Sequence, residues 1–504
     1  MSIGKLACFP RIEGLKFISK WIGGTKMSNK RKLGLLTFSD GRKAVHEELL
    51  PVNKKFHDEV VSALEATGEI EVIPGETIIH EPRQAQEQAA KLKTARVDAT
   101  IFNFSIWSFP HLSVLSAQAG RGPFLLLSNL NPSYPGLIGM LAVGGSLDNL
   151  GIRHSRVWGD IRKKSVVDRV LSFAKSASAV NRLRGETCGL FGGRSMGMYH
   201  ATVDPRQWQA EFGVDIEHVD QFEIVRCAQI VEESRVEQAF KWLTDYVGRI
   251  VYDGKGLTPE KLKRQIRAYF ATKDIIKERD FDFVAIKCQP ELSDHFVTQC
   301  LSHAFLNDPY DMEGVKPPIA CGCEADLDGA LTMEIMKHIT DGPVLFYDLR
   351  HYDAANDMFI FSNCGSQPTF FAGRSNDPRS NLSRVTFYPQ TPFYFKAGGA
   401  SVQYMCAEGE ITMARLSRKD GKYWMAIIPG EFIKVSEEKM KETSPEWPQG
   451  FTKLDVNAKD LISGLGANHL HAVYGNYVEE LKEYCNLMGI ESRVFSRNTR
   501  DANE

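Results

Sequence analysis

A chain of 504 residues is too long for one ordinary core and implies about three domains. Its 43% hydrophobic and 25% charged residues are the balance of a globular protein able to bury large cores, which excludes a disordered chain. With 61 basic against 63 acidic residues the formal net charge is −2, so no field favours nucleic acid or an anionic membrane as a partner.

The N-terminal stretch MSIGKLACFPRIEGLKFISKW is broken by Lys5, Arg11, Glu13, Lys16 and Lys20 and reaches neither signal-peptide nor membrane-span length, so a cytoplasmic location is expected. A strand at 32–38 (KLGLLTF) meets the turn Ser39-Asp40-Gly41 and leads into a helix over 45–66. The step repeats with IEVIP and a helix near 82–92, DATIFNF and a segment from Pro110, and PFLLLSNL with a further helix. Such alternation implies a parallel sheet covered on both faces. It restarts at about Gly151 with HSRVWGD, a helix over 161–179 and CGLFGG. Helices near 233–250 and 258–277, the strand VAIKC and a helix over 292–306 follow. After about Tyr352 short alternating runs rich in aromatic residues and glycine read as antiparallel strands, closed by a helix over 476–488. The expected fold class is therefore α/β: an N-terminal segment at 1–30, two α/β domains with parallel sheets at 31–150 and 151–345, and a mainly antiparallel β domain at 346–504.

The ten cysteines contain no C-x-x-C pair, and Cys321-x-Cys323 lacks zinc-site spacing, so reduced, buried thiols are expected. Next to this pair, CGCEADLDGALTMEI places Leu327, Leu331, Ile335 and Ile339 every four residues, so a helix starts at or just before Asp326. Asp326 and Asp328 then serve as first-turn carboxylates. Glu324 lies before the cap, where a strand leaves the sheet and ligands of open α/β sheets gather. Twenty-four residues later VLFY delivers Asp348 at the end of another strand, expected at the same rim. Two neighbouring carboxylates repel unless they share a cation or proton. An ion pair of Asp348 with Arg350, or a loop cap, explains Asp348 equally well from spacing. In GLGANHLHAVYG, Asn468 and His469 occupy a glycine-bounded turn, and His469 or His471 would complete an oxygen and nitrogen donor set.

The blocks CEADLDGALTMEI, PVLFYDLRHYD, GGASVQYMCAEGEITMARL and GANH resemble, in order and rough separation, the L-fucose isomerase family, which is related to the L-arabinose isomerases. The resemblance implies two N-terminal α/β domains, a β-rich C-terminal domain and a hexameric, manganese-dependent aldose–ketose isomerase; Co2+ or Mg2+ are the other cations considered. Carried over by motif, Glu324, Asp348 and His469 would be the metal ligands and the two carboxylates the acid/base pair, which selects His469 over His471. Arg42 in SDGR, Trp107 in SIWSF, Gln289 in IKCQPE, Trp447 in EWPQG and Asn468 are similar to the family's substrate-contacting positions. The chain is shorter than a typical L-fucose isomerase. It has Asp348 and FSNCGS where the arabinose enzymes carry a second glutamate and a further histidine, so the chemistry resembles the fucose type.

The expected reaction is the isomerisation of a small open-chain sugar through a cis-enediol. Two readings compete with it. An isomerase of the same family for a hexose with a charged C6 group would need extra cations in the pocket, for which Arg374, Arg384 and Lys396 are candidates. A non-catalytic cytoplasmic sugar-binding protein would need no convergence of the carboxylates and histidine.

Overall fold

The computed structural model describes residues 30–497, so the expected segment at 1–30 lies, apart from its last residue, outside the described residues. The first sheet has five parallel strands. Arg31–Thr37 is flanked by Ile70–Pro74 and Ala99–Phe104, and Phe124–Ser128 and His154–Trp158 complete it. Ala99–Phe104 and Phe124–Ser128 are buried along their whole length, as a sheet covered on both faces requires. The expected boundary at 150/151 falls inside this sheet: HSRVW, read as the opening of the second domain, pairs with Phe124–Ser128. A glycine-rich approach to a strand resembles a linker in sequence, while the strand's partner is fixed by non-local pairing.

The second sheet is also parallel, in the order Cys321–Cys323, Phe283–Ile286, Thr187–Phe191, Asp215–Val219. The helix expected over 292–306 is interrupted, running as Glu291–His295 and Cys300–Asn307. Between these pieces Thr298 donates its N–H to the Gly398 carbonyl, and its own carbonyl and hydroxyl accept from Gln265. Those contacts replace the helical hydrogen bonds.

The third sheet is mainly antiparallel, with strands in the order Gly409–Lys419, His469–Tyr474, Leu345–Asp353, Met358–Ser362, Gln449–Leu454, Lys422–Phe432. Gly409–Lys419 also pairs with Lys422–Phe432, which closes these six strands on themselves, and Glu491–Val494 adds in parallel outside the closure. The closing hairpin turns through Asp420 and Gly421, both at positive φ, as a two-residue loop that matches strand twist demands. A short sheet of Ala400–Gln403 and Thr386–Pro389 takes Arg249–Ile250 from the preceding region as its parallel third strand. Two parallel sheets followed by a mainly antiparallel one are the fold class read from the sequence.

The helix Leu327–Thr340 joins these layers. It packs on Lys164–Leu183, which covers the first sheet, and on the strands Gly409–Lys419 and His469–Tyr474. Twelve of its fourteen residues are buried, so its fully apolar and polar faces alike must find partners inside the protein.

Candidate metal-binding active site

The strand Cys321–Cys323 ends in Glu324 and Ala325, both in the left-handed region at φ 59° and 53°. Such backbone costs an L-residue roughly 1–2 kcal/mol. It is held by the Ala325 N–H donating to the Ile286 carbonyl at 3.1 Å and the Asp326 N–H donating to the Cys323 carbonyl at 3.1 Å. The reversal turns the Glu324 side chain out of the sheet and starts the helix at once. Asp326 caps it by accepting from the Gly329 N–H at 3.0 Å, as the sequence indicates. A Cβ on Gly329 would stand 2.7 Å from Asp326 Oδ2 and 2.8 Å from the Arg415 guanidinium, so this position has no room for a side chain.

Contrary to the expectation from sequence, Asp348 does not end a neighbouring strand of the same sheet. It lies inside the nine-residue antiparallel strand Leu345–Asp353, directly opposite His469 on the next strand of the closed sheet. The reason is that strand order along the chain does not say which sheet a strand joins. The carboxylates nevertheless meet, across two sheets. His469 Nε2 stands 3.3 Å from Glu324 Oε2 and 3.4 Å from Asp348 Oδ1, and the donor atoms of the three residues all lie within 4.8 Å of one another.

The electrostatics of this trio are set from behind. Asp326 is fully buried and accepts two hydrogen bonds from Arg415, at 2.5 and 3.0 Å. Burial alone would raise its carboxyl, but Arg415 and His469 hold it far below the usual carboxylate range. It therefore stays ionised and accepts from His469 Nδ1 at 2.7 Å, which fixes that ring nitrogen as the donor. Nε2 is left buried, without a hydrogen-bond partner, facing two carboxylate oxygens. Burial pushes Glu324 up to about 7 and raises Asp348 as well. Burial would lower His469, but Asp348, Asp326 and Glu324 outweigh it and raise the imidazole well above its ordinary value. The cluster thus demands a positive charge, and a neutral Nε2 with two carboxylate oxygens is a donor set that fits a divalent cation of intermediate hardness. The separations of 3.3 and 3.4 Å are close to the roughly 3 Å between adjacent donors on a metal with bonds of about 2.1 Å.

Of the other sequence candidates, Asn468 belongs to this site: it is exposed and donates its side-chain N–H to Asp348 Oδ1 at 2.7 Å. Gln289 follows Phe283–Ile286, the strand beside Cys321–Cys323, at the same rim as Glu324. Trp447 is buried, with its indole N–H donating to Gln390 at 3.0 Å. The guanidinium of Arg350 lies 5.5 Å from its ring centre and donates to Ser444, so Arg350 does not pair with Asp348. Arg42 and Trp107 are not brought to the trio. Arg42 makes a two-point ion pair with Asp40 after the first strand, and Trp107 follows the adjacent Ala99–Phe104. The start of that first strand, Arg31, is the end tied to the body through Asp341, so these two residues sit at the opposite rim of the first sheet. Lys396 pairs with Asp294 and Arg374 lies over Tyr474, while no contact among the described residues joins Arg384 to the trio.

Three participants were not assigned to the site from sequence. Asp326 orients His469 as well as capping its helix, and Arg415 secures Asp326. His471 is buried, neutral and turned to Arg415 at 3.3 Å. The available signal was Arg415 itself, a lone charge at a buried position of the apolar run ITMARL.

Sequence comparison extends this picture. The profile of the L-fucose isomerase first N-terminal domain matches residues 30–185, and that of the L-fucose isomerase C-terminal domain matches residues 361–495. The L-fucose isomerase of Haemophilus influenzae is 22% identical over 548 aligned positions, covering 92% of both chains. That of Streptococcus pneumoniae serotype 4 is 23% identical and covers 91% of this chain and 92% of its own. The sulfoquinovose isomerase of Priestia aryabhattai is 21% identical over 84% of this chain and 91% of its own. No helix among the described residues is long and apolar enough to cross a membrane. Glu324 and Asp348 lie between the two domain matches, His469 lies inside the second, and the relatives run along nearly the whole chain: this protein belongs to the L-fucose isomerase family and is an aldose–ketose isomerase.

Proposed function

We propose that the chain is a metal-dependent isomerase that moves a proton between C2 and C1 of an open-chain sugar through a cis-enediol, with Glu324, Asp348 and His469 holding the cation. The observation that carries this reading is the convergence of two carboxylates on the unpartnered, buried Nε2 of His469. Mn2+, or a similar ion such as Co2+ or Mg2+, would supply Lewis acidity toward the sugar's O1 and O2. The protein's own groups do the rest. Glu324, buried beside His469 at the rim of the second sheet, would take the proton from carbon and return it. Asp348, positioned by Asn468 and more open to solvent, is suited to the hydroxyl proton. Gln289 at the adjoining rim would orient the sugar, and the buried Trp447 would back that wall.

A homo-oligomer is part of the proposal. Leu137, Ile138 and Leu141 form an exposed apolar face on the helix Gly136–Asn149, in the same domain as Arg42 and Trp107. Residues at that rim reach a trio only if it belongs to another copy.

The substrate admits a second reading, a hexose with an anionic C6 group, favoured by Arg350. Its guanidinium lies two residues from Asp348 on the same strand and has no carboxylate partner among the described residues. The similarity to a sulfoquinovose isomerase supports the same reading.

The test is a panel of L-fucose, D-arabinose, L-arabinose and 6-substituted hexoses, including sulfoquinovose, given to the Mn2+-loaded and the chelated protein and assayed for ketose. Ketose from at least one sugar, lost on chelation and restored by Mn2+, is expected. Equal turnover after exhaustive chelation would overturn metal dependence.

A further inference from the structure

Beside the oxygen-rich trio stands a second set of donors that the proposed chemistry does not use. Cys323 Sγ, Cys364 Sγ and a Glu324 carboxylate oxygen lie within 4.8 Å of one another. Cys323 precedes Glu324 at the end of its strand. Cys364 follows Met358–Ser362, whose Ser362 is paired with Asp348, so the sequence delivers the second thiol to the same rim from the closed sheet. Cys323 is buried, and Cys364 is partly exposed as a residue. Their surroundings are sulfur-rich: Cys300 Sγ approaches the Cys364 carbonyl at 3.6 Å, and Cys321 Sγ stands 3.0 Å from His303 Nδ1. None of the nine described cysteines is in a disulfide.

Two sulfurs and one carboxylate are a soft donor set of three protein ligands, which suits a thiophilic ion. Glu324 belongs to both sets, so the two positions share a ligand. We propose that Cys323, Cys364 and Glu324 form a second cation position, specific for a thiophilic divalent ion such as Zn2+ or Cd2+, whose occupancy withdraws Glu324 from the oxygen-rich position and excludes the ion there. Binding replaces two S–H bonds by two metal–sulfur bonds and releases two protons, with no change of oxidation state. The exclusion rests on the proposed function, because it needs Glu324 in the oxygen-rich set; the thiolate position does not. The consequence is an inhibitory site built into the active-site wall.

The experiment is a Cd2+ titration of the full-length, metal-stripped chain under a phosphine reductant, read by the ultraviolet thiolate-to-cadmium charge-transfer band. Bound Mn2+ is followed separately by electron paramagnetic resonance. One Cd2+ per chain is expected, with the band lost in Cys364→Ser, Cys364→Ala and Cys323→Ser and kept in Cys485→Ser, a buried thiol elsewhere. Glu324→Gln should weaken Cd2+ by about tenfold or more, and Cd2+ should release Mn2+ from the wild-type chain. A band that survives in the folded Cys364 variants overturns the site. Simultaneous occupancy by Cd2+ and Mn2+, or Cd2+ affinity unchanged in Glu324→Gln, overturns the shared ligand. Absence of any Mn2+ binding, with the cadmium results as expected, refutes the oxygen-rich site and leaves the thiolate site standing.

Discussion

His469 and Asp326 are joined, both fully buried, by a 2.7 Å hydrogen bond between Nδ1 and Oδ2. The bond decides which nitrogen of His469 would be available to the proposed cation. In Asp326→Asn the amide can present either its oxygen or its NH2 to Nδ1, and Arg415 loses its counter-charge in the interior. Divalent-ion affinity should fall about 10- to 100-fold, and stability should drop by roughly 3–5 kcal/mol. Titration calorimetry with Mn2+ and denaturant unfolding check the two effects; an unchanged affinity would mean that Nδ1 does not govern the ligand.

Glu324→Gln and Asp348→Asn preserve shape and remove the carboxylates proposed to transfer protons. Each should lower kcat by about 10²–10⁴-fold. The melting temperature of the metal-free protein should stay the same or rise, because each substitution removes a repelling, poorly solvated carboxylate. Retained turnover in both folded variants would exclude them from proton transfer.

The proposed cation would have to displace protons from this cluster. Glu324 sits at about 7 and takes up a proton as pH falls through neutrality, while His469, held well above its ordinary value, already carries one there. Mn2+ affinity should therefore increase across about pH 6 to pH 8, with net proton release on binding. Calorimetry in two buffers of different ionisation enthalpy measures that release, and a buffer-independent heat contradicts it.

At the other end of the site helix, His338 bonds Glu186 at 2.8 Å and lies 3.1 Å from Glu334, which Lys337 also contacts at 2.6 Å. Burial would lower this imidazole, but Glu186 and Glu334 raise it to about 9 from 6.5. A histidine raised on folding contributes stability that is fully present below the unfolded value of 6.5 and is lost as pH climbs through about 9. The wild type should lose stability over that window, and His338→Gln should lose much less. Parallel pH profiles of the two proteins would refute the assignment.

Arg350→Ala distinguishes neutral from anionic substrates. A sulfonated or phosphorylated hexose that uses this guanidinium should lose about 10- to 100-fold in kcat/KM, the worth of a charged hydrogen bond of roughly 1.5–3 kcal/mol. Turnover of neutral sugars should change little. Equal losses for both would assign Arg350 a structural part through Trp447 and Ser444.

The residues most legible from sequence were those whose chemistry depends on local order. Glu324 could be separated from Asp326 because a helix repeat begins after one and a strand ends before the other. The two parallel sheets and the later antiparallel one followed from periodicity. What stayed hidden was pairing. Nothing local states that HSRVW closes the first sheet, that Asp348 belongs to the closed sheet, or that Asp326 faces an arginine 89 positions away. The same limit separates Asn468, adjacent in sequence to His469, from Arg42 and Trp107, whose rim lies elsewhere in the chain's own fold.

The ties between the site helix and the strand Gly409–Lys419 bear on modularity. Asp326 with Arg415, Asp328 with Arg418 and Tyr423, and Thr332 with the Leu416 N–H cross from one domain to the other. A gene fragment ending before Gly409 would leave two buried carboxylates facing an absent partner, and a fragment beginning after Thr340 would carry Arg415 into the sheet without its counter-charge Asp326. The C-terminal unit, recognisable as a domain by ancestry, is therefore not a unit of folding. Shuffling between relatives would have to exchange both sides of this seam together.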